Sequence, residues 1–322
     1  MREQGNGRHY GRHQALLNAL QSVALILFMG GFMALLGWLL WGGSGVIMLL
    51  TLGMVTTLFN PALSPRWVMK LYGAKPLSDG QAPALGELKA WLCQRAGLDK
   101  PPELYLIPSR VINAFSVGSS GRSVVALSDA LLRQLSLREL AGVLAHEVSH
   151  IRHNDLWVLG LADLFSRLAS LMAFVGQVLL LMNLPLLLMG MVTIDWGLIL
   201  LLVIAPLVSA LAQLALSRTR EYAADLNAAR LTGDPRGLAA ALEKIEQAQG
   251  GWVEHILTPG RRVPDPSLLR THPRTEERVE RLLELDKELE LEDRLPLEQL
   301  LHQFDHPEVT RQPKRRFLGT WW

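Results

Sequence analysis

The sequence predicts a mainly α-helical integral membrane protein: four transmembrane helices plus a cytoplasmic domain that holds a small β-sheet. Three features of the 322-residue chain carry this expectation. Long apolar runs lack any charged side chain, the basic residues flanking them gather on one side, and the stretch between the second and third runs contains short segments of strand character.

Residues 1 to 14 form a basic N-terminus with Arg2, Arg8 and Arg12. Residues 15 to 41 and 46 to 63 carry no charge, and each is near the length that crosses ~30 Å of hydrocarbon. Joined by the tight GGSG turn, they make a first transmembrane hairpin over 15 to 63. The basic start resembles a signal peptide, but the apolar run far exceeds the roughly 7 to 15 residues of such a segment and has no small-residue cleavage site. It reads as a retained anchor.

Residues 64 to 156 read as soluble. GELKAWLCQRAGL (86 to 98) has helical spacing and stops at Gly97, and PELYLIPS, VINAFSVG and RSVVALS read as strands separated by turn residues. Ser136 and Glu139 form an S-x-x-E capping box, so a helix begins at Leu137 and carries Leu140, Val143, Leu144, Val148 and Ile151 on its apolar side. HEVSH lies within that helix.

A second hairpin follows over 157 to 216, with one helix starting near Trp157, another from Leu198 to Ala215, and a turn between Asn183 and Gly197. Asp163 and Arg167 fall inside its first helix and can pair at i, i+4 if those turns project into the cytoplasm. Residues 217 to 285 return to soluble character: SRTREYAADLNAARLTG reads as a helix ending at Gly233, DPRGLAAALEKIEQAQG as another with Pro235 in its first turn, and Pro273 suits the first turn of a charged helix. Residues 286 to 322 form a C-terminal extension ending in RQPKRRFLGTWW, a solvated tail or a segment for an anionic leaflet.

Arg66 and Lys70 after the first hairpin, and Arg218 and Arg220 after the second, share a side with the basic N-terminus, which the positive-inside rule makes cytoplasmic. The single cysteine, Cys93, excludes an intramolecular disulfide framework and fits a reducing compartment. No basic stripe or glycine-rich phosphate loop indicates a nucleic-acid partner.

In HEVSH, His146 and His150 are one turn apart on one helical face, so both imidazoles reach a single ion. Glu147 lies beside that ion. Zinc with three protein ligands keeps a fourth position for water and lowers its pKa toward ~7, and an adjacent carboxylate takes the proton as the hydroxide attacks a carbonyl. His153 is about 10 Å along the axis from His146, too far to share the ion, and reads as a surface residue at the membrane boundary.

The third ligand must come from elsewhere. Glu221, in a helix leaving the membrane on the cytoplasmic side, is the strongest candidate, and Asp225 one turn on can accept the free ring N–H of a bound histidine. For the chain to return to its starting side between His150 and Glu221 it must cross the membrane an even number of times, and two apolar stretches lie there.

NAFSVG, HEVSHIRHND, SRTREYAAD and THPRTEERV, in this order, resemble the membrane-embedded zinc metallopeptidases of the HtpX type, kin to the CAAX prenyl proteases and mitochondrial Oma-type proteases. The resemblance implies a gluzincin-like peptidase domain with one zinc ion per chain on His146, His150 and Glu221, Glu147 as general base and Asp225 as the EYxAD aspartate. It also implies that Asn113, Ala114 and Phe115 lie on an edge strand that holds extended substrate, and that His272 donates to the oxyanion. The expected partners are protein or peptide substrates, misfolded or damaged membrane proteins among them, and the lipid bilayer of a bacterial inner membrane. A selective processing protease is one alternative. A catalytically idle zinc scaffold is another, against which Glu147 argues, because a structural site needs no base.

Overall fold

The structure of the chain, a computed structural model, describes residues 4–58, 65–119, 121–191, 193, 195–250, 274–288 and 297–302. In chain order the elements are α1 (Gln4–Leu58), α2 (Pro65–Leu71), β1 (Lys75–Pro76), α3 (Pro83–Ala96), β2 (Glu103–Ile107), β3 (Ala114–Ser119) and β4 (Arg122–Ser128). They continue with α4 (Asp129–Gln134), α5 (Leu137–Arg152), α6 (Asp155–Leu188), α7 (Trp196–Thr232), α8 (Pro235–Gly250) and α9 (Thr275–Glu288). Two compact units result: one holds α1, α6 and α7 as far as Ala223, and the other holds α2 to α5, the sheet, the end of α7, α8 and α9.

In the first unit, three helices are long and apolar enough to cross a membrane: Ala19–Leu49, Asp155–Leu188 and Trp196–Thr232. The sequence predicts four crossings, and the difference arises inside α1. Its backbone leaves the helical region at Trp41 and Gly42, where Gly42 takes φ +62°. A Cβ on Gly37 would lie 2.7 Å from Leu49 Cδ1, and one on Gly45 would strike the Gly37 carbonyl. On a straight helix residues 37 and 45 would stand about 12 Å apart, so the chain doubles back here, at the expected GGSG turn.

Met33, Leu36, Leu49, Leu168, Met172 and Leu202 pack together inside this unit, while Leu27, Phe28, Trp38, Leu181, Met182 and Leu207 face outward. Helices apolar all round suit lipid.

At 1.5 Å per residue, the 34 residues of α6 and 37 of α7 span about 51 and 55 Å, well beyond ~30 Å of hydrocarbon. Their charges fall in the surplus. Asp163 pairs with Arg167 at 2.7 Å, and the buried carboxylate of Asp155 pairs with Arg220. The helix expected near Trp157 begins at Asp155, because Asn154 adopts φ 52° and separates it from α5. The helix expected after the fourth apolar run is continuous with that run, and α7 stops only at Gly233, φ 68°.

In the second unit the strand order is β1-β2-β4-β3, with β2 and β4 parallel and β3 antiparallel to β4. Hydrophobic β4 is central and buried, and β3 is an edge. α3 ends at Gly97 in the left-handed conformation, where the sequence predicts its stop. The core gathers Leu85, Leu88, Leu92, Val125, Leu127 and the apolar side of α5.

The predicted capping box starts α5: Glu139 N–H donates to Ser136 Oγ, and Ser136 N–H to Glu139 Oε2 at 2.8 Å. Burial alone would raise the Glu139 carboxyl, but Lys244, 2.7 Å away on α8, and Ser136 outweigh it and hold the group below its ordinary value. α5 is buried almost throughout from Glu139 to Ile151.

Close approach of α5 to α8 depends on Gly142, where a Cβ would sit 2.8 Å from the Leu238 backbone. Gly142→Ala should therefore force the helices apart and destabilise the unit by about 1–3 kcal/mol, read as a lower thermal midpoint in detergent. An unchanged midpoint would mean that this contact relaxes freely.

Candidate metal centre

The capping box and the close α8 contact fix α5, and α5 in turn fixes its two histidines. His146 and His150 are each 7% exposed, low for a side chain usually only partly buried. Their Nε2 atoms are 3.0 Å apart and their ring planes are nearly perpendicular, at 86°. Two nitrogens bound to one tetrahedral ion at ~2.0–2.1 Å would stand about 3.3 Å apart, so the observed pair is close to a shared-ion geometry.

Glu221 on α7 completes the set. One ligand atom from each of His146, His150 and Glu221 lies within 4.8 Å of the others, and all three residues are buried. Two imidazoles and a carboxylate are donors suited to a borderline divalent ion such as zinc, and three protein ligands leave a coordination position open.

Asp225 follows Glu221 by one turn of the same continuous helix. His146 Nδ1 lies 3.0 Å from Asp225 Oδ1, an approach that favours the proton on Nδ1 and the lone pair on Nε2, toward a metal. On its other side Asp225 receives a two-pronged contact from Arg278 of α9, with Nε on Oδ2 and Nη2 on Oδ1, both at 2.7 Å. Arg278 is itself only 5% exposed. Sequence reasoning did not single it out, because in TEERVER it is indistinguishable from the solvated charges beside it.

Glu147 is 7% exposed, and among the described residues its carboxylate makes no ion pair or hydrogen bond. It is outside the ligand group. His153 also lies outside it: exposed at the C-cap of α5, it donates from Nδ1 to the Ser149 carbonyl at 2.9 Å.

Asn113, Ala114 and Phe115 enter edge strand β3. Asn113 exchanges backbone contacts with Ser128, donating to its Oγ at 3.0 Å and accepting from its N–H at 2.9 Å. Phe115 packs on Tyr72 with ring centroids 5.1 Å apart, and β3 lies against α5. His272 and Pro273 lie outside the described residues, as does most of the C-terminal extension.

The model of the family described as peptidase family M48 matches residues 81–286. A protease HtpX homolog from Pyrococcus abyssi is 35% identical over 289 residues, covering 84% of this chain and 96% of its own length. One from Acaryochloris marina is 36% identical over 294 residues, covering 85% and 97%. The crystal structure of S. mikatae Ste24p aligns at 20% identity with a TM-score of 0.39, over 84% of this chain and 66% of that one.

Proposed function

The chain belongs to peptidase family M48, and on that premise we propose that it is a zinc-dependent endopeptidase of the cytoplasmic membrane that hydrolyses peptide bonds in misfolded or damaged membrane proteins. The observation that carries the hydrolytic reading is the convergence of His146, His150 and Glu221, with the buried carboxylate of Glu147 on the turn between the two histidines.

These three residues would hold the ion, which when bound would supply Lewis-acid polarisation of the reacting oxygens. Glu147 accepts a proton from the attacking water at its carboxylate and passes it to the leaving amine. Asp225 keeps the proton of His146 on Nδ1, and Arg278 keeps Asp225 in place. By resemblance, His272 donates to the oxyanion. Asn113, Ala114 and Phe115 lead into the edge strand of the sheet, where an extended peptide can add as a further strand through main-chain hydrogen bonds that tolerate varied sequences.

The doubled-back α1 supports counting two crossings in residues 15 to 63, and α6 and α7 supply two more. Basic residues at Arg66, Lys70, Arg218 and Arg220 favour a cytoplasmic site. Residues 64 to 156 and 217 to 285 then form the peptidase domain, and 286 to 322 extend it.

The test is metal removal. Purified protein with one equivalent of zinc should cleave an unfolded substrate such as casein, lose that activity on chelation and recover it when zinc is restored. Undiminished cleavage by protein shown by elemental analysis to be metal-free would rule the reading out.

A further inference from the structure

A polar concavity lies at the C-terminal end of α5. Arg95 of α3, Arg152 and His153 at the end of α5, and Asn227, Arg230 and Leu231 of α7 line a cavity of about 400 Å³. Its lining contains no carboxylate. Three guanidinium side chains from three separate helices therefore face one space.

Four other arginines of this unit, Arg133, Arg138, Arg236 and Arg278, each rest on an aspartate. Among the described residues, Arg95, Arg152 and Arg230 form no ion pair. Arg95 is nevertheless held in position, with its guanidinium 5.0 Å from the centroid of the Trp91 ring. Among the described residues no carboxylate pairs with these converging like charges, so an arrangement built by three helices is relieved by an anion from outside.

From this we infer that the cavity is a binding site for a phosphate-bearing anion. Guanidinium forks match phosphate oxygens two at a time, and several together suit a phosphate better than a single carboxylate. The Asn227 amide offers further donors, and Leu231 gives the cavity an apolar wall. The volume admits either free phosphate or the headgroup of an anionic phospholipid. None of its lining residues belongs to the ligand group.

The experiment uses the full chain, zinc-loaded, in a neutral detergent at fixed ionic strength set with chloride. Binding of inorganic phosphate and of dihexanoylphosphatidylglycerol below its micellar concentration is measured by calorimetry for the parent and for Arg95→Gln/Arg230→Gln. Both replaced residues are exposed, and an unchanged thermal midpoint verifies that the variant folds. We expect saturable binding of at least one ligand to the parent, weakened about 10-fold or more in the variant. The tighter of the two then names the source, lipid headgroup or free phosphate. No saturable binding of either, or equal affinity of parent and variant, overturns the inference.

Discussion

Glu147→Gln should reduce casein cleavage by roughly 100- to 10,000-fold while leaving zinc bound. The substitution keeps the size and nearly the shape of a side chain that is 7% exposed, so packing around α5 is preserved. An amide cannot accept the proton of the attacking water, and the chemical step loses its base. Because Glu147 is not among the grouped ligand atoms, elemental analysis should still find about one zinc per chain. Cleavage at the parental rate would remove Glu147 from its proposed role. Loss of zinc together with activity would instead make it a support of the metal site. Glu147→Asp separates the two further: the acid is retained but withdrawn by one methylene, so activity should be partial and metal content full.

Much of this site is legible in the sequence, because its parts are local. Ser136 and Glu139 are three residues apart and mark where α5 begins, and His146 and His150 are one turn apart on a helix whose register that cap fixes. The stops at Gly97 and Gly233 were equally legible, since each demands a left-handed backbone that glycine supplies at little cost. Glu221 was within reach for a different reason: an even number of crossings is needed to bring it back to the side of the histidines.

What stayed hidden depends on distant partners or on continuity. Arg278 pairs with Asp225 across 53 positions, and no local pattern distinguishes it from Arg274 or Arg281. The arginines of the basic cavity lie on three helices, and no local pattern brings them together. Hydropathy also divides at Ser217, where the polar residues begin, but backbone geometry does not, and α7 runs on into the site as one rod. The position of Glu221 thus follows from an unbroken helix that composition alone divides in two.

The chain of contacts from Arg278 through Asp225 to His146 predicts a second large effect, on metal affinity rather than on the chemical step. Asp225→Asn removes the carboxylate that accepts the Nδ1 proton of His146, and zinc affinity measured by chelator competition should fall about 10- to 100-fold. Arg278→Met leaves the Asp225 carboxylate buried without its guanidinium, a change that costs about 3–5 kcal/mol when one partner of a buried pair is removed. Its thermal midpoint should drop and its zinc affinity should fall with it. The double variant carries no uncompensated buried charge, so its loss of stability should be smaller than the sum of the single losses. Its zinc affinity should match that of Asp225→Asn alone, because Arg278 reaches the metal only through that carboxylate. A double variant whose loss of zinc affinity equals the sum of the two single losses would show that Arg278 acts on the site by another route.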